Sequence, residues 1–215
     1  DLVRSRGLGD VYKRQLQERK TDTMELQEKK KNRTEQKTDM QNKEKALLTQ
    51  LDEIAKQDLC LAFSGGVDSS LLLKLVMDAS AKYGTKVYAV TFQTRLHPPC
   101  DLETATRVAK EVGAVHEVLF VDELEQEAIR YNPENRCYLC KHYLFGKLLE
   151  FARDHGVTQV LDGTNEDDLH VYRPGRKALR EYGVISPLAA CHVTKTEVKA
   201  CLLYTSPSPR DRTRS

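Results

Sequence analysis

Across 215 residues, 34 lysines and arginines stand against 32 aspartates and glutamates, a net charge of +2 that argues against a nucleic-acid surface spread over the whole chain. No apolar run approaches the roughly 18 residues of a membrane span, and the N-terminus lacks the apolar core of a secretory signal, so a soluble, cytoplasmic α/β protein with no membrane partner is expected. In that setting six cysteines at irregular spacing read as thiols or metal ligands rather than disulfides.

The two ends call for exclusion before any fold reasoning. Ser5 to Gln15, SRGLGDVYKRQ, can be encoded by a string whose reverse complement, read in a shifted frame, encodes CLLYTSPSPRD, Cys201 to Asp211. Natural protein ends have no physical reason to be related in this way, and the string looks like a transposon adapter used in sequencing libraries. Residues 1–15 and 201–215 are therefore expected to be translated adapter. On this reading Cys201 carries no function, and the native protein continues past Ala200, so the C-terminal part of the domain is missing. Residues 16–45 are almost wholly polar and form an extension expected to be disordered or loosely helical.

The domain spans 46–200. Leu47, Leu48, Leu51 and Ile54 recur at helical spacing and predict a helix packed on the rest of the domain. DLCLAF is a short apolar strand, and SSLLLKLVMDASAKYG a helix closed by Gly84. KVYAVTF is a second strand, followed by DLETATRVAKEVG, a helix that Asp101 can cap. VHEVLFV, the helix LFGKLLEFARDHG and VTQVL come next, then GVISPLA as a weaker fifth strand. Thr194 and Glu197 form a capping-box pattern that opens a last helix. Strands alternating with helices imply a doubly wound parallel sheet, with ligands at the carboxyl ends of its strands.

The first strand-to-helix turn reads AFSGGVDSS, from Ala62 to Ser70. Gly65 and Gly66 permit close approach of backbone to a ligand, Ser64 and Ser69 offer hydroxyls, and the helix beyond presents its N-terminal amides. This is a phosphate cradle, but neither a Walker loop nor a dinucleotide turn. Asp68 beside a phosphate is repulsive unless a divalent cation lies between them, so it is expected to help hold magnesium.

Two further stretches carry chemistry. In NPENRCYLCKHYLF, Cys137 and Cys140 form a C-x-x-C at the mouth of a helix, where the dipole, Arg136 and Lys141 favour thiolate; the pair could bind a metal or a cluster, or work as a redox couple. In DGTNEDDLHVYRPG, Gly163, Thr164 and Asn165 leave the fourth strand at the edge that carries the cradle. Asp168 comes next, and Arg173 and Arg176 can neutralise a carboxylate or phosphate. Phe92 or Tyr172 could stack on a base. Cys60 reads as core, Cys100 as a loop thiol and Cys191 as ordinary packing.

SGGVDSS resembles the PP-loop of the ATP-pyrophosphatase superfamily, which implies an adenine nucleotide alpha-hydrolase-like fold and cleavage of ATP to AMP and pyrophosphate. With RCYLCK and DGTNEDDLHVYRPG, the stretch from Ala46 to Ala200 resembles the LarE family of ATP-dependent sulfurtransferases. That resemblance implies adenylation of a pyridinium-3,5-dicarboxylate mononucleotide and its conversion to a thiocarboxylate for nickel-pincer cofactor biosynthesis. Its candidate ATP and magnesium residues are Ala62, Ser64, Gly65, Gly66, Asp68, Ser69, Phe92, Gly163, Thr164, Asn165, Asp168 and Arg173. Sulfur would come from a sacrificial cysteine or from a [4Fe-4S] cluster on three cysteines, of which Cys137 and Cys140 are two and the third lies beyond this chain. A homo-oligomer would fit the family. A PP-loop enzyme of tRNA thiolation or amidation, and a nucleotide-binding module without activity, are the alternatives.

Overall fold

A computed structural model describes residues 31, 34, 35, 37–95 and 99–205. Of the expected adapter segments 1–15 and 201–215, residues 1–15 and 206–215 lie outside the described residues, while 201–205 continue the last helix. Two compact units divide between Asn42 and Lys43. The described residues of the first are helical and mostly exposed, as a charged sequence with no apolar stripe dictates.

In the second unit the chain opens with α1, residues 43–54. Leu47, Leu51 and Ile54 are buried while Leu48 is exposed. The three buried residues share one helical face; Leu48 sits about 100° further round, which takes it off that face. Next come β1 (Leu59–Ala62), α2 (Val67–Ser80), β2 (Val87–Thr94), α3 (Pro99–Val112) and β3 (Val115–Val121). After β3 the chain makes a short 3₁₀ turn, Glu123–Glu125, and the single-turn α4 (Glu127–Arg130). It then forms α5 (Arg136–Asp154), β4 (Gln159–Leu161), α6 (Gly175–Glu181), α7 (Pro187–Ala190) and α8 (Lys195–Thr205).

The four strands are parallel in the order β3-β2-β1-β4. Alternate residues of β1 point to opposite faces. Leu59 and Leu61 join a core with α1, α2, α3 and α8, while Cys60 joins Val90, Phe145 and Leu148 on the other side. The doubly wound expectation therefore holds. The expected fifth strand shrinks to one bridge, Leu161 to Ile185, because Pro187 has no amide for a ladder and instead starts α7. Helix α3 begins at Pro99, ahead of the expected cap at Asp101, so Cys100 lies in a helix rather than a loop.

From β1 the chain moves outward to β2 and β3, then returns past β1 to β4. The crossovers thus diverge between β1 and β4, and a crevice opens at the carboxyl ends of those two strands. Both the cradle and the segment after β4 emerge there.

Candidate active site

A cavity of about 850 Å³ lies at that edge, lined by residues that come after all four strands and by the first turns of α5. It gathers Ala62, Ser64, Gly66, Asp68, Ser69, Phe92, Gly163, Thr164, Asp168, Arg173, Cys137 and Cys140. Gly65 and Asn165 do not line it; they act one layer back.

At the cradle, Gly65 has φ +73°, and a Cβ there would stand 2.8 Å from Ala105 N and 2.9 Å from Ala105 Cα. Glycine is needed because the loop lies against the backbone of α3. The Gly66 amide donates to Ser64 Oγ at 3.3 Å, Ser64 Oγ and Ser69 Oγ are 3.1 Å apart, and Ser69 Oγ donates to the Gly66 carbonyl at 3.1 Å. These bonds fix the turn that starts α2, whose 14 residues put amides and a positive dipole end at the cavity wall. A Cβ on Gly163 would lie 3.1 Å from Ser69 N, so the segment after β4 is drawn tight against the same helix start.

Asp68 Oδ2 pairs with Lys195 Nζ at 2.8 Å, while Asp68 Oδ1 is buried with no hydrogen-bond partner. A carboxylate oxygen in that state lacks what a divalent cation supplies, so the residues present fit magnesium. Lys195 is not signalled by the sequence: a lysine 127 residues from Asp68 carries no local cue. Asp162 is buried and accepts from both the Thr164 and Ser186 hydroxyls, which shapes the floor. Asn165 is buried and exchanges two bonds with Asp168: its amide donates to Asp168 Oδ2 at 3.2 Å, and its Oδ1 accepts the Asp168 amide at 3.1 Å. Asp168 in turn holds Arg173 at 3.0 Å on the cavity wall. Arg176 is committed elsewhere, donating to the carbonyls of Asp168 at 3.2 Å and Leu169 at 2.9 Å. Phe92 lines the cavity and packs its ring 6.2 Å from Phe145, whereas Tyr172 is 90% exposed and off the cavity wall.

The far end of the cavity holds sulfur. Cys137 is exposed, and the half-buried Cys140 donates to Glu123 Oε1 at 3.5 Å. Burial, reinforced by the charge and hydrogen bond of Glu123, pushes the Cys140 thiol up to about 11 against the opposing pull of Arg136. The expected thiolate is thus corrected at Cys140: desolvation and a neighbouring acid outweigh the basic residues. Glu123 escapes sequence reasoning because it sits among four acids between Asp122 and Glu127, a stretch that reads as a solvated face.

Cys60 and Cys191 do not join them. Cys191 donates to Gln50 Oε1 at 3.3 Å and packs in the α1, α2 and α8 core, and Cys60 is a core residue whose thiol burial pushes up to about 12. No group of three or more His, Cys, Asp or Glu among the described residues is placed to hold a metal, and Cys137 and Cys140 by themselves do not complete the three-cysteine site of the expected [4Fe-4S] cluster. Among them, too, no helix is long and apolar enough to cross a membrane.

Residues 36–135 match the model of a PP-loop domain. The chain is 40% identical over 139 residues to an uncharacterised protein of Synechocystis sp., covering 65% of this chain and 51% of that one. It is 34% identical over 144 residues to the pyridinium-3,5-bisthiocarboxylic acid mononucleotide synthase of Lactiplantibacillus plantarum, covering 67% and 51%. The chain spans about half the length of these curated relatives. In fold it is similar to the U34-tRNA thiolase of Methanococcus maripaludis solved with its [4Fe-4S] cluster, at TM-score 0.53 and 15% identity over 77% of this chain and 68% of that one. With its cradle, its sheet order and these relatives in agreement, the chain carries a PP-loop domain and is similar over two thirds of its length to the LarE-type synthase.

Proposed function

We propose that the chain is an ATP-dependent sulfurtransferase of LarE type, in which residues 46–200 form the adenylating domain between translated adapter ends. The observation that carries this reading is the shared cavity: one pocket holds both the phosphate cradle and the C-x-x-C pair. The amides at the start of α2, with Ser64 and Ser69, bind the pyrophosphate portion of ATP. Phe92 offers a face for a ring. Asp68 would hold magnesium, which supplies charge neutralisation on the phosphates. Lys195, on the other oxygen of Asp68, supplies a second positive charge at the same place.

The substrate is a small-molecule mononucleotide with a pyridinium ring and carboxylates, met in the cytoplasm; no nucleic acid takes part. A carboxylate oxygen attacks the α-phosphorus of ATP, the bond to the β-phosphate oxygen breaks, and pyrophosphate leaves. Arg173 neutralises a substrate carboxylate or phosphate at the wall, and Asn165 holds it there through Asp168. A sulfur nucleophile at the Cys137 end then attacks the acyl carbonyl. The carbon to sulfur bond forms, the acyl carbon to oxygen bond breaks, and AMP carries away the electron pair. Where the nucleophile is a cysteine thiolate, loss of its Cα proton then breaks the Cβ–S bond, so the thiocarboxylate leaves with the sulfur and the cysteine ends as dehydroalanine. Adenylation is needed because a carboxylate oxygen is a poor leaving group and AMP a good one.

The test is pyrophosphate release from ATP by the purified chain. Release that depends on pyridinium-3,5-dicarboxylate mononucleotide, with a product in which one carboxylate oxygen is replaced by sulfur, is expected. ATP binding with no release on any acid would leave a nucleotide-binding module and overturn the reading.

A further inference from the structure

Glu123 is fully buried, yet it forms part of the cavity wall. Its backbone is held by the turn after β3, where Asp122 accepts the Leu124 amide at 3.0 Å and pairs with Arg95 Nε at 3.3 Å. One Glu123 oxygen takes the Cys140 sulfhydryl; the other, Oε2, is buried with no hydrogen-bond partner, and no cation forms an ion pair with the residue among the described ones. A buried acid left half-satisfied destabilises the empty protein, so its presence at a cavity asks for an explanation in the ligand.

The wall around it is mixed in charge. Arg136 and Lys141 line the same end of the cavity as Glu123. A ligand that satisfies both signs carries a positive ring and negative substituents. A neutral ring of the same shape would leave Glu123 uncompensated in a low-dielectric site.

We propose that Glu123 is the cation-selecting residue of the thiol end: one carboxylate oxygen anchors Cys140, and the other balances the positive ring of the substrate, while Arg136 and Lys141 receive its acidic groups. The inference rests on the sulfurtransferase reading and gives that reading a specificity determinant. Glu123 positions and selects; it does not touch a bond that breaks.

The test compares N-methylpyridinium-3,5-dicarboxylate with neutral-ring pyridine-3,5-dicarboxylate by calorimetry on the full chain saturated with ATP. Wild type is expected to favour the cationic ring by about tenfold or more. In Glu123→Gln and Glu123→Leu that ratio falls to about one while ATP still binds, which shows that the variants are folded. Iodoacetamide labelling reads the anchor separately: Cys140 reacts several-fold faster relative to Cys137 in Glu123→Leu, and stays slow in Glu123→Gln, which keeps an acceptor. A wild-type preference that survives both substitutions, or Cys140 labelling that Glu123→Leu does not change, overturns the role of Glu123 and leaves the sulfurtransferase standing. ATP binding with neither acid bound in wild type overturns the substrate reading and this one together.

Discussion

Gly65 and Gly66 are neighbours with different reasons to lack a side chain. Gly65 is in the left-handed region, and its missing Cβ faces the rigid backbone of Ala105 at 2.8 Å. Gly66 has φ of −72°, which any residue adopts, and the nearest obstacle to a Cβ is the movable Ser64 hydroxyl at 3.3 Å. Gly65→Ala should therefore cost stability, roughly 2 to 4 kcal/mol from the positive φ and the clash together. Gly66→Ala should fold nearly normally and lose ATP affinity, because its methyl group stands where the phosphates approach. Thermal denaturation set beside ATP titration separates the two; a Gly65→Ala protein as stable as wild type would show that α3 can move aside.

At the level of elements, α8 is fastened to the domain by its first turn. Glu197 Oε2 accepts the Thr194 amide at 2.7 Å and the Thr194 hydroxyl at 2.8 Å, while Glu197 Oε1 receives Lys43 Nζ at 3.1 Å. Asp167 Oδ2 accepts the Lys195 amide at 2.7 Å, so the acid next to Asp168 is part of the helix start. Burial works to raise the Glu197 carboxyl, but the Thr194 bonds and Lys43 overcome it and hold the group below its ordinary 4.5. A carboxyl lowered on folding stabilises above its unfolded pKa, and that contribution fades as pH falls through the folded value. Glu197→Gln should therefore lose about 1 kcal/mol at pH 7, with the difference from wild type closing below the ordinary carboxylate range. Denaturant melts at neutral and acidic pH check it, and a pH-independent difference would assign the loss to packing. The capping box was legible because both of its partners lie within four residues. The cradle was legible for the same reason: glycines, hydroxyls and acid stand in one stretch whose chemistry is local. Glu123 and Lys195 were not, since each gains its meaning from a partner that only the sheet order brings near. The fifth strand failed on a local conflict, in which an apolar run promised a strand and Pro187 ended it.

The whole molecule concentrates its site where the chain reverses direction across the sheet, so a ligand there ties together segments that otherwise meet only through the core. Asp68 lies just after β1, Asp162 and Gly163 just after β4, and Lys195 comes from α8, at the far end of the domain. A nucleotide bound across these segments stabilises all of them by mass action, about 2.7 kcal/mol at a hundred times its dissociation constant. How much of that depends on a cation is set by Asp68. With its buried Oδ1 unpartnered, the acid repels phosphate directly, and magnesium turns the same charge into a ligand. ATP with magnesium should thus raise the melting temperature well above that with ATP and a chelator. In Asp68→Asn the repulsion and the metal ligand vanish together, so the two conditions should converge. Scanning calorimetry of both proteins in both conditions decides the matter. If the chelator has no effect on wild type, Lys195 alone neutralises Asp68 and the phosphates need no metal there.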